Sequence, residues 1–179
     1  MAKNKSSKSK SKSKNSASAL DLRFVSGLSE ETRVAVCDLL NQRLADVIDL
    51  TLAVKQAHWN LKGEGFIGVH ELLDDVADHL RESLDMIAER VTIIGGQAKG
   101  TSQAVTENTQ MKPYPTDQVK ITQHLQLLTD RFNEVGGRIR EAIETAGDHG
   151  DADTEDLFTE VSRQIDKDAW FIGANLDPE

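Results

Sequence analysis

The sequence predicts an all-α fold, a bundle of four long helices with one long connection in the middle. The 179 residues include only three prolines and few runs of β-branched residues. Four segments repeat apolar residues at steps of three and four, which is the period of an amphipathic helix, and glycines or prolines separate them. The length suits one domain whose core needs no disulfide or structural metal.

The first two predicted helices form a hairpin. The first should begin near Ser29, a good N-cap that precedes two glutamates, and run to about Leu61. The second should run from about Phe66 to Ile94, where a Gly-Gly pair stops it. Because the turn between them is short, the two helices should lie antiparallel.

A long connection leads to the third long helix. Residues 97–114 are long for a bare loop, so a short extra helix is predicted there over 106–111. The third long helix should follow with Thr116 or Asp117 as its cap. The pair Gly136-Gly137 lies inside this helix, and we interpret it as a close packing contact or a bend.

The fourth long helix completes the bundle, starting near Asp153 or Thr154 and ending near Asn175. Two short joints and one long crossover match the ferritin-like four-helix plan. A structural bundle without chemistry shares these features, so the fold alone predicts no reaction.

Charge divides the chain into a basic arm and an acidic body. The net charge is −9, and since residues 1–19 hold six lysines and no acid, −15 remains on residues 20–179. We predict a disordered Lys/Ser-rich arm over 1–19 and a helical domain over 20–179. The lysines of the arm are Lys3, Lys5, Lys8, Lys10, Lys12 and Lys14.

The arm predicts binding to DNA without sequence preference. A polycation attracts phosphates and releases their counterions, whereas the acidic body repels nucleic acid. A solubilising or cloned leader is the alternative. A localisation signal is also open, although the lysines alternate with serines and form no compact block.

Other features of the composition exclude several classes of protein. The single cysteine, Cys37, cannot form an intrachain disulfide, which favours a cytoplasmic protein, and it is interpreted as a small packing residue. No apolar run reaches the about 18 residues of a membrane span. The N-terminus lacks the apolar segment of a secretory signal.

Two pairs of side chains on the second helix have metal-ligand spacing. His70 and Asp74 are four residues apart, and so are Asp85 and Glu89, so each pair can point two ligands at one ion. At about 100° per residue, all four lie on one stripe about 130° away from the centre of the apolar face. The stripe should therefore point out of the bundle. A solvated polar face is the plainer interpretation of such a stripe.

Axial distance indicates that two chains would have to share the ligands. Asp74 and Asp85 should lie about 16 Å apart along one helix, whereas ligands reach an ion at roughly 2.0–2.6 Å. Two antiparallel copies, related by a two-fold axis near residues 79–80, would bring the two pairs together twice. His58, near the end of the first helix, would join His70. Two imidazoles and three carboxylates suit iron, manganese or zinc.

An internal metal centre of the ferritin kind is not predicted. Such a centre uses Glu-x-x-His motifs, and none of the five histidines follows a glutamate at that spacing. This favours either a centre between subunits or no metal. His79, His124 and His149 are interpreted as surface or packing residues. Trp59 should pack between subunits, with radical quenching as the alternative.

The hairpin contains two characteristic runs, KQAHWNLKGEGFIGVHELLDD and HLRESLDMIAERVTIIGG. They closely resemble the Dps family, the DNA-binding proteins from starved cells, and the resemblance covers about residues 25–176. It implies a ferritin-like bundle assembled as a hollow homododecamer with ferroxidase centres at its two-fold interfaces. The ligand types of the family match His58, His70, Asp74, Asp85 and Glu89.

The resemblance also implies an activity. Fe(II) would be oxidised, preferentially by hydrogen peroxide, and stored inside the shell as a ferric mineral core, which protects DNA from oxidative damage. Acidic pores would admit iron, and Asp151, Asp153 and Asp156 resemble the pore region. Double-stranded DNA would bind the arm, which implies a nucleoid-associated cytoplasmic protein.

Two alternatives stay open. One is a nucleoid-packing structural shell whose metal binding is incidental. The other is a larger ferritin or bacterioferritin cage, which the missing Glu-x-x-His motifs and the short chain disfavour.

Overall fold

The computed structural model of the protein describes residues 27–176, which form five helices. The helices are α1 (Glu30–Asn60), α2 (Phe66–Ile93), α3 (Ser102–Asn108), α4 (Ile121–Asp148) and α5 (Ala152–Gly173). The four long helices confirm the predicted all-α bundle, and α3 is the extra helix of the long connection. The predicted arm over 1–19, with its six lysines, lies outside the described residues.

Local capping positions the α1–α2 hairpin as predicted. The Ser29 hydroxyl accepts a hydrogen bond from the Thr32 N–H at 3.0 Å and so starts α1. Gly65 precedes α2 with a φ of 75°, a left-handed conformation that favours glycine. Because this turn is tight, the end of α1 and the start of α2 face each other.

The start of α4 differs from the prediction, which placed its cap at Thr116 or Asp117. α4 begins at Ile121. The Lys62 N–H donates to the Val119 carbonyl at 2.7 Å, and the Ile121 N–H donates to the Lys62 carbonyl at 3.3 Å. These two bonds hold the chain extended against the α1–α2 connection, so the first helical turn forms only after them.

The short helix α3 lies earlier than the predicted 106–111. Thr101 sets its start, because the threonine hydroxyl accepts a hydrogen bond at 3.4 Å from the backbone N–H three residues further on. Thr109 follows the helix and donates through its hydroxyl to Asp49 of α1 at 2.8 Å. The long connection is thereby fastened to α1.

α5 begins at Ala152, slightly before the predicted start at Asp153 or Thr154. Asp151 is its N-cap, and the carboxylate accepts hydrogen bonds from the N–H and the hydroxyl of Thr154 at 3.2 and 2.7 Å. Arg90 of α2 donates to the same carboxylate at 2.6 Å, and both side chains are buried. The pair therefore ties α2 to the start of α5.

Replacing Arg90 by methionine should destabilise the fold strongly, because it leaves a buried carboxylate without its charge partner. Breaking one side of a buried ion pair costs about 3–5 kcal/mol, which a denaturant titration of the free energy of unfolding can measure. The matched control is Arg81→Met, which removes an exposed ion pair to Asp78 and should change stability little. Equal losses in the two variants would contradict this prediction.

The core lies between the two hairpins and draws fully buried side chains from all four long helices, among them Leu40, Leu80, Phe132 and Phe158. Gly136 faces Ile165 of α5, and a Cβ atom at that position would make an ordinary van der Waals contact at 3.4 Å. Gly137 has no such neighbour within 4 Å. Within residues 27–176, no helix combines the length and the apolar character needed to cross a membrane.

Candidate metal centre

Two histidines meet where α1 ends and α2 begins. Nδ1 of His58 lies 2.9 Å from the His70 carbonyl, and Nδ1 of His70 lies 3.0 Å from the His58 carbonyl. The two rings stack with centroids 3.8 Å apart. Because a carbonyl only accepts, each Nδ1 carries the proton and donates, and each Nε2 keeps its lone pair free for a metal.

Asp74 supplies the third donor of this group. Its Oδ1 lies 3.5 Å from Nε2 of His58, and the donor atoms of His58, His70 and Asp74 all lie within 4.8 Å of one another. The Asp74 side chain is 52 % exposed, whereas that of His58 is buried. The three donors therefore converge at the surface of the bundle, as the stripe on α2 predicts.

Lys55 also belongs to this cluster, although the spacing of the histidines and carboxylates did not predict it. Its ammonium group donates to Asp74 Oδ1 at 2.5 Å. This hydrogen bond lowers the pKa of the Asp74 carboxyl below its usual value, so the group is ionised at neutral pH. One signal was available: Lys55 precedes His58 by three residues and so lies on the same face of α1.

The other two predicted ligands do not join this group within one chain. Asp85 and Glu89 are exposed on α2, one helical turn apart. The His58, His70 and Asp74 group is the only set of three or more potential ligands that residues 27–176 bring together. The described part of the chain therefore offers three donors in one place and two carboxylates further along the helix.

Exposed apolar side chains border the three donors. Trp59 is 67 % exposed and Ile67 is 61 % exposed. Phe66 is also exposed, and its ring stacks on that of His70 with centroids 5.1 Å apart. Leu52, two helical turns before Trp59 on α1, is exposed as well but lines a groove against α3. Apolar side chains at the rim of a polar cluster are typical of a surface that another molecule covers.

The remaining histidines fall outside the cluster. His79 of α2 lies 3.0 Å from the buried carboxylate of Asp168, and His124 is fully buried. His149 is exposed at the end of α4. Cys37 is buried and burial raises the pKa of its thiol to about 11, which suits the predicted packing role.

The three predicted pore residues have different surroundings. The carboxylate of Asp151 is buried and held by Arg90 and Thr154, so it is a structural cap with little capacity to bind a passing cation. Asp153 and Asp156 are exposed near the start of α5. Of the three predicted pore residues, these two are the exposed ones.

Comparison with known proteins identifies the family. A model of the ferritin-like domain matches residues 37–178. The DNA protection during starvation protein of Agrobacterium fabrum is 49 % identical over 149 residues, which cover 83 % of this chain and 92 % of the relative. The chain belongs to the Dps family.

Solved Dps structures share the fold as well. The Mycobacterium smegmatis Dps structure in its tetragonal form superposes with a TM-score of 0.83 at 33 % identity, covering 87 % of this chain and 94 % of that one. DpsC from Streptomyces coelicolor gives a TM-score of 0.84 at 31 % identity, covering 89 % of this chain and 93 % of that one. The resemblance predicted from the α1–α2 hairpin is thereby confirmed, and the bundle is a Dps fold of the ferritin-like class.

Proposed function

We propose that this Dps chain is a ferroxidase and iron-storage protein. It oxidises Fe(II), preferentially with hydrogen peroxide, stores the ferric product as a mineral inside a homododecameric shell, and protects DNA from oxidative damage. The observation that carries the proposal is the exchange of hydrogen bonds between His58 and His70, which leaves both Nε2 atoms free beside an ionised Asp74. The relative in Agrobacterium is named for DNA protection during starvation.

The donor set fits Fe(II) as the substrate. Imidazole nitrogen binds Fe(II) well, and carboxylates favour the Fe(III) product. A second copy of the chain, placed antiparallel on α2, would add Asp85 and Glu89 and complete the centre with five donors. The exposed apolar rim of Trp59 and Ile67 would be buried in the same contact.

The reaction is balanced with two iron ions at each centre. Two Fe(II) ions each lose one electron, and one hydrogen peroxide molecule accepts both electrons and two protons to give two molecules of water. A centre that holds both Fe(II) ions forms no hydroxyl radical, because the peroxide there receives both electrons. Ferric ions then leave for the mineral, which frees the centre for further Fe(II).

An anaerobic titration tests this function. Assembled shells loaded with Fe(II) should consume about one hydrogen peroxide for every two Fe(II) oxidised, and mass measurement should give a twelve-subunit particle. A nucleoid-packing shell with incidental metal binding would bind DNA but consume no peroxide. Fe(II) oxidation no faster than in buffer would contradict the proposal.

Replacing Lys55 by glutamine should tighten the binding of Fe(II). Lys55 donates to Oδ1 of Asp74, one of the two carboxylate oxygens that a metal could use, and its positive charge repels a cation. We expect the dissociation constant for Fe(II), measured by anaerobic calorimetry, to fall several-fold. The matched control is Lys62→Gln, which removes an exposed lysine from the adjacent connection. Weaker binding in Lys55→Gln than in the control would show that the lysine instead holds Asp74 in place.

We further propose that the lysines of the 1–19 arm bind double-stranded DNA without sequence preference, and that Asp153 and Asp156 line an entry pore for iron. The lysines supply the positive charge that the acidic body lacks. The two exposed carboxylates lie close to the start of α5, where they would attract cations.

A further inference from the structure

A tyrosine and a histidine form a hydrogen-bonded pair beside the start of α4. The Tyr114 hydroxyl lies 2.7 Å from Nδ1 of His124, and the two rings are nearly parallel, with an interplanar angle of 8°. Nε2 of His124 lies 3.2 Å from the Gln118 carbonyl. His124 is fully buried and Tyr114 is half-buried, so the pair is held in one arrangement.

The bond to Gln118 fixes the direction of the bond to Tyr114. A carbonyl only accepts, so His124 carries its proton on Nε2 and presents Nδ1 as an acceptor. The Tyr114 hydroxyl therefore donates to Nδ1. Burial lowers the pKa of His124 and raises the pKa of Tyr114. At neutral pH the imidazole is therefore neutral and the phenol keeps its proton, so one proton can move from the hydroxyl to Nδ1.

Arg131 favours loss of the phenolic proton when Tyr114 loses an electron. The guanidinium carbon lies 5.2 Å from the centroid of the Tyr114 ring. Removing an electron alone would place a positive ring beside this cation, which is electrostatically unfavourable. Removing the electron together with the proton leaves a neutral phenoxyl ring. The surroundings thus favour coupled transfer of the two particles.

The pair lies at the end of the bundle that carries the three metal donors. The backbone bond from Lys62 to Val119 joins the α1–α2 connection to the segment between Tyr114 and α4. That same connection links the helix ends that carry His58 and His70. The chain contains one tyrosine, so no other phenol is available for this role.

We infer that Tyr114 is a redox-active residue that donates an electron to one-electron oxidants arising from the iron reaction, with His124 as its proton acceptor. The inference rests on the proposed ferroxidase function for the source of the oxidant. The oxidant is of the hydroxyl-radical class, which forms when a lone Fe(II) gives a single electron to hydrogen peroxide.

The step is balanced in protons and electrons. Tyr114 gives one electron to the hydroxyl radical, which becomes hydroxide, while the phenolic proton moves to Nδ1 of His124. The products are a neutral phenoxyl radical and an imidazolium. A further Fe(II) then gives one electron to the phenoxyl radical, the proton returns from Nδ1, and the pair is restored. The net result is one hydroxyl radical converted to hydroxide and one Fe(II) oxidised to Fe(III).

The first experiment generates the oxidant without iron. The full chain, free of iron, is illuminated with a ruthenium tris-bipyridine complex and persulfate, and the radical is recorded by electron paramagnetic resonance. We expect a neutral tyrosyl signal with a proton coupling from the imidazolium that is lost in D₂O. Tyr114→Phe should show no such signal. In His124→Gln the radical should form at least about tenfold more slowly, since a positioned base is lost.

The absence of a tyrosyl radical in the wild-type chain, or a radical without the exchangeable coupling, would overturn the inference. The coupling is measured in the wild type, so it decides the matter even where His124→Gln fails to fold. A pair that only fastens the long connection to α4 would alter the stability of these variants and give neither the radical nor its coupling.

The second experiment uses the iron reaction. Shells receive Fe(II) and hydrogen peroxide in the presence of a hydroxyl-radical spin trap, and the adduct is counted per Fe(II) oxidised. Tyr114→Phe should yield several-fold more adduct than the wild type, and an equal yield would overturn the inference. A wild-type shell that oxidises no Fe(II) would instead remove the proposed function, while the illumination experiment would still decide the role of the pair.

Discussion

Peroxide-driven oxidation of Fe(II) should disappear in shells built only from His58→Ala chains or only from Asp85→Ala chains, and should return when both variants are co-expressed in one shell. The proposed centre takes His58, His70 and Asp74 from one subunit and Asp85 and Glu89 from its partner. Each variant alone therefore damages both centres of a dimer. A mixed dimer carries both defects in one centre and keeps the other centre intact.

The expected size of the recovery follows from symmetry. With random pairing, half of the dimers are mixed and each keeps one of its two centres, so about a quarter of the wild-type activity should return. Each single-variant shell should lose more than the about 10- to 100-fold that removal of a ligand's hydrogen-bond partner costs in metal sites. The measurement is the initial rate of Fe(II) oxidation per subunit in assembled particles.

A second mixture of variants tests whether the recovered activity comes from a centre whose ligands two subunits share. His58→Ala and His70→Ala both damage the same half of the centre, so co-assembly of these two variants leaves no intact centre in any dimer. Recovery in this control, or none in the His58→Ala and Asp85→Ala mixture despite assembly of the shell, would refute the shared centre.

Periodicity predicted the helices well because the repeating apolar positions are fixed by packing against the core. The predicted start of α4 was wrong because backbone hydrogen bonds with Lys62, which is remote in sequence, hold the residues before α4 extended. The start of α5 was predicted slightly late because the cap was sought at Asp153 or Thr154, whereas Asp151, buried against Arg90, is the cap. A contact between distant segments therefore sets the start of α4, whereas the cap of α5 is local, from Asp151 to Thr154.

The spacing of polar residues predicted only the part of the site that local helix and turn geometry determines. His70 and Asp74 share a helical face, and the short turn brings His58 beside them, so the cluster follows from local geometry. The crossed hydrogen bonds that free both Nε2 atoms depend on how closely α1 and α2 approach. The pairing of Tyr114 with His124 depends likewise on the path of the long connection, which no periodicity describes.

Deleting residues 1–15 should abolish DNA binding and leave Fe(II) oxidation intact. The deletion removes all six lysines of the arm, and the remaining body, with −15 on residues 20–179, should repel the phosphate backbone. Twelve arms on one shell would bind DNA multivalently, so the loss of DNA affinity should be far larger than the loss of one weak contact. Gel shifts with double-stranded DNA over a range of salt concentrations measure the effect.

Charge, rather than length or sequence, should decide DNA binding by the arm. Replacing the six lysines by arginine should preserve binding, whereas replacing them by glutamine should abolish it as completely as the deletion does. The logarithm of the binding constant should fall linearly with the logarithm of the salt concentration, by about 0.9 for each phosphate that a lysine neutralises. A gel shift by the truncated shell at low salt would place the DNA-binding surface on the body instead. The ferroxidase centre should be unaffected by all three changes, because its five proposed ligands lie on α1 and α2.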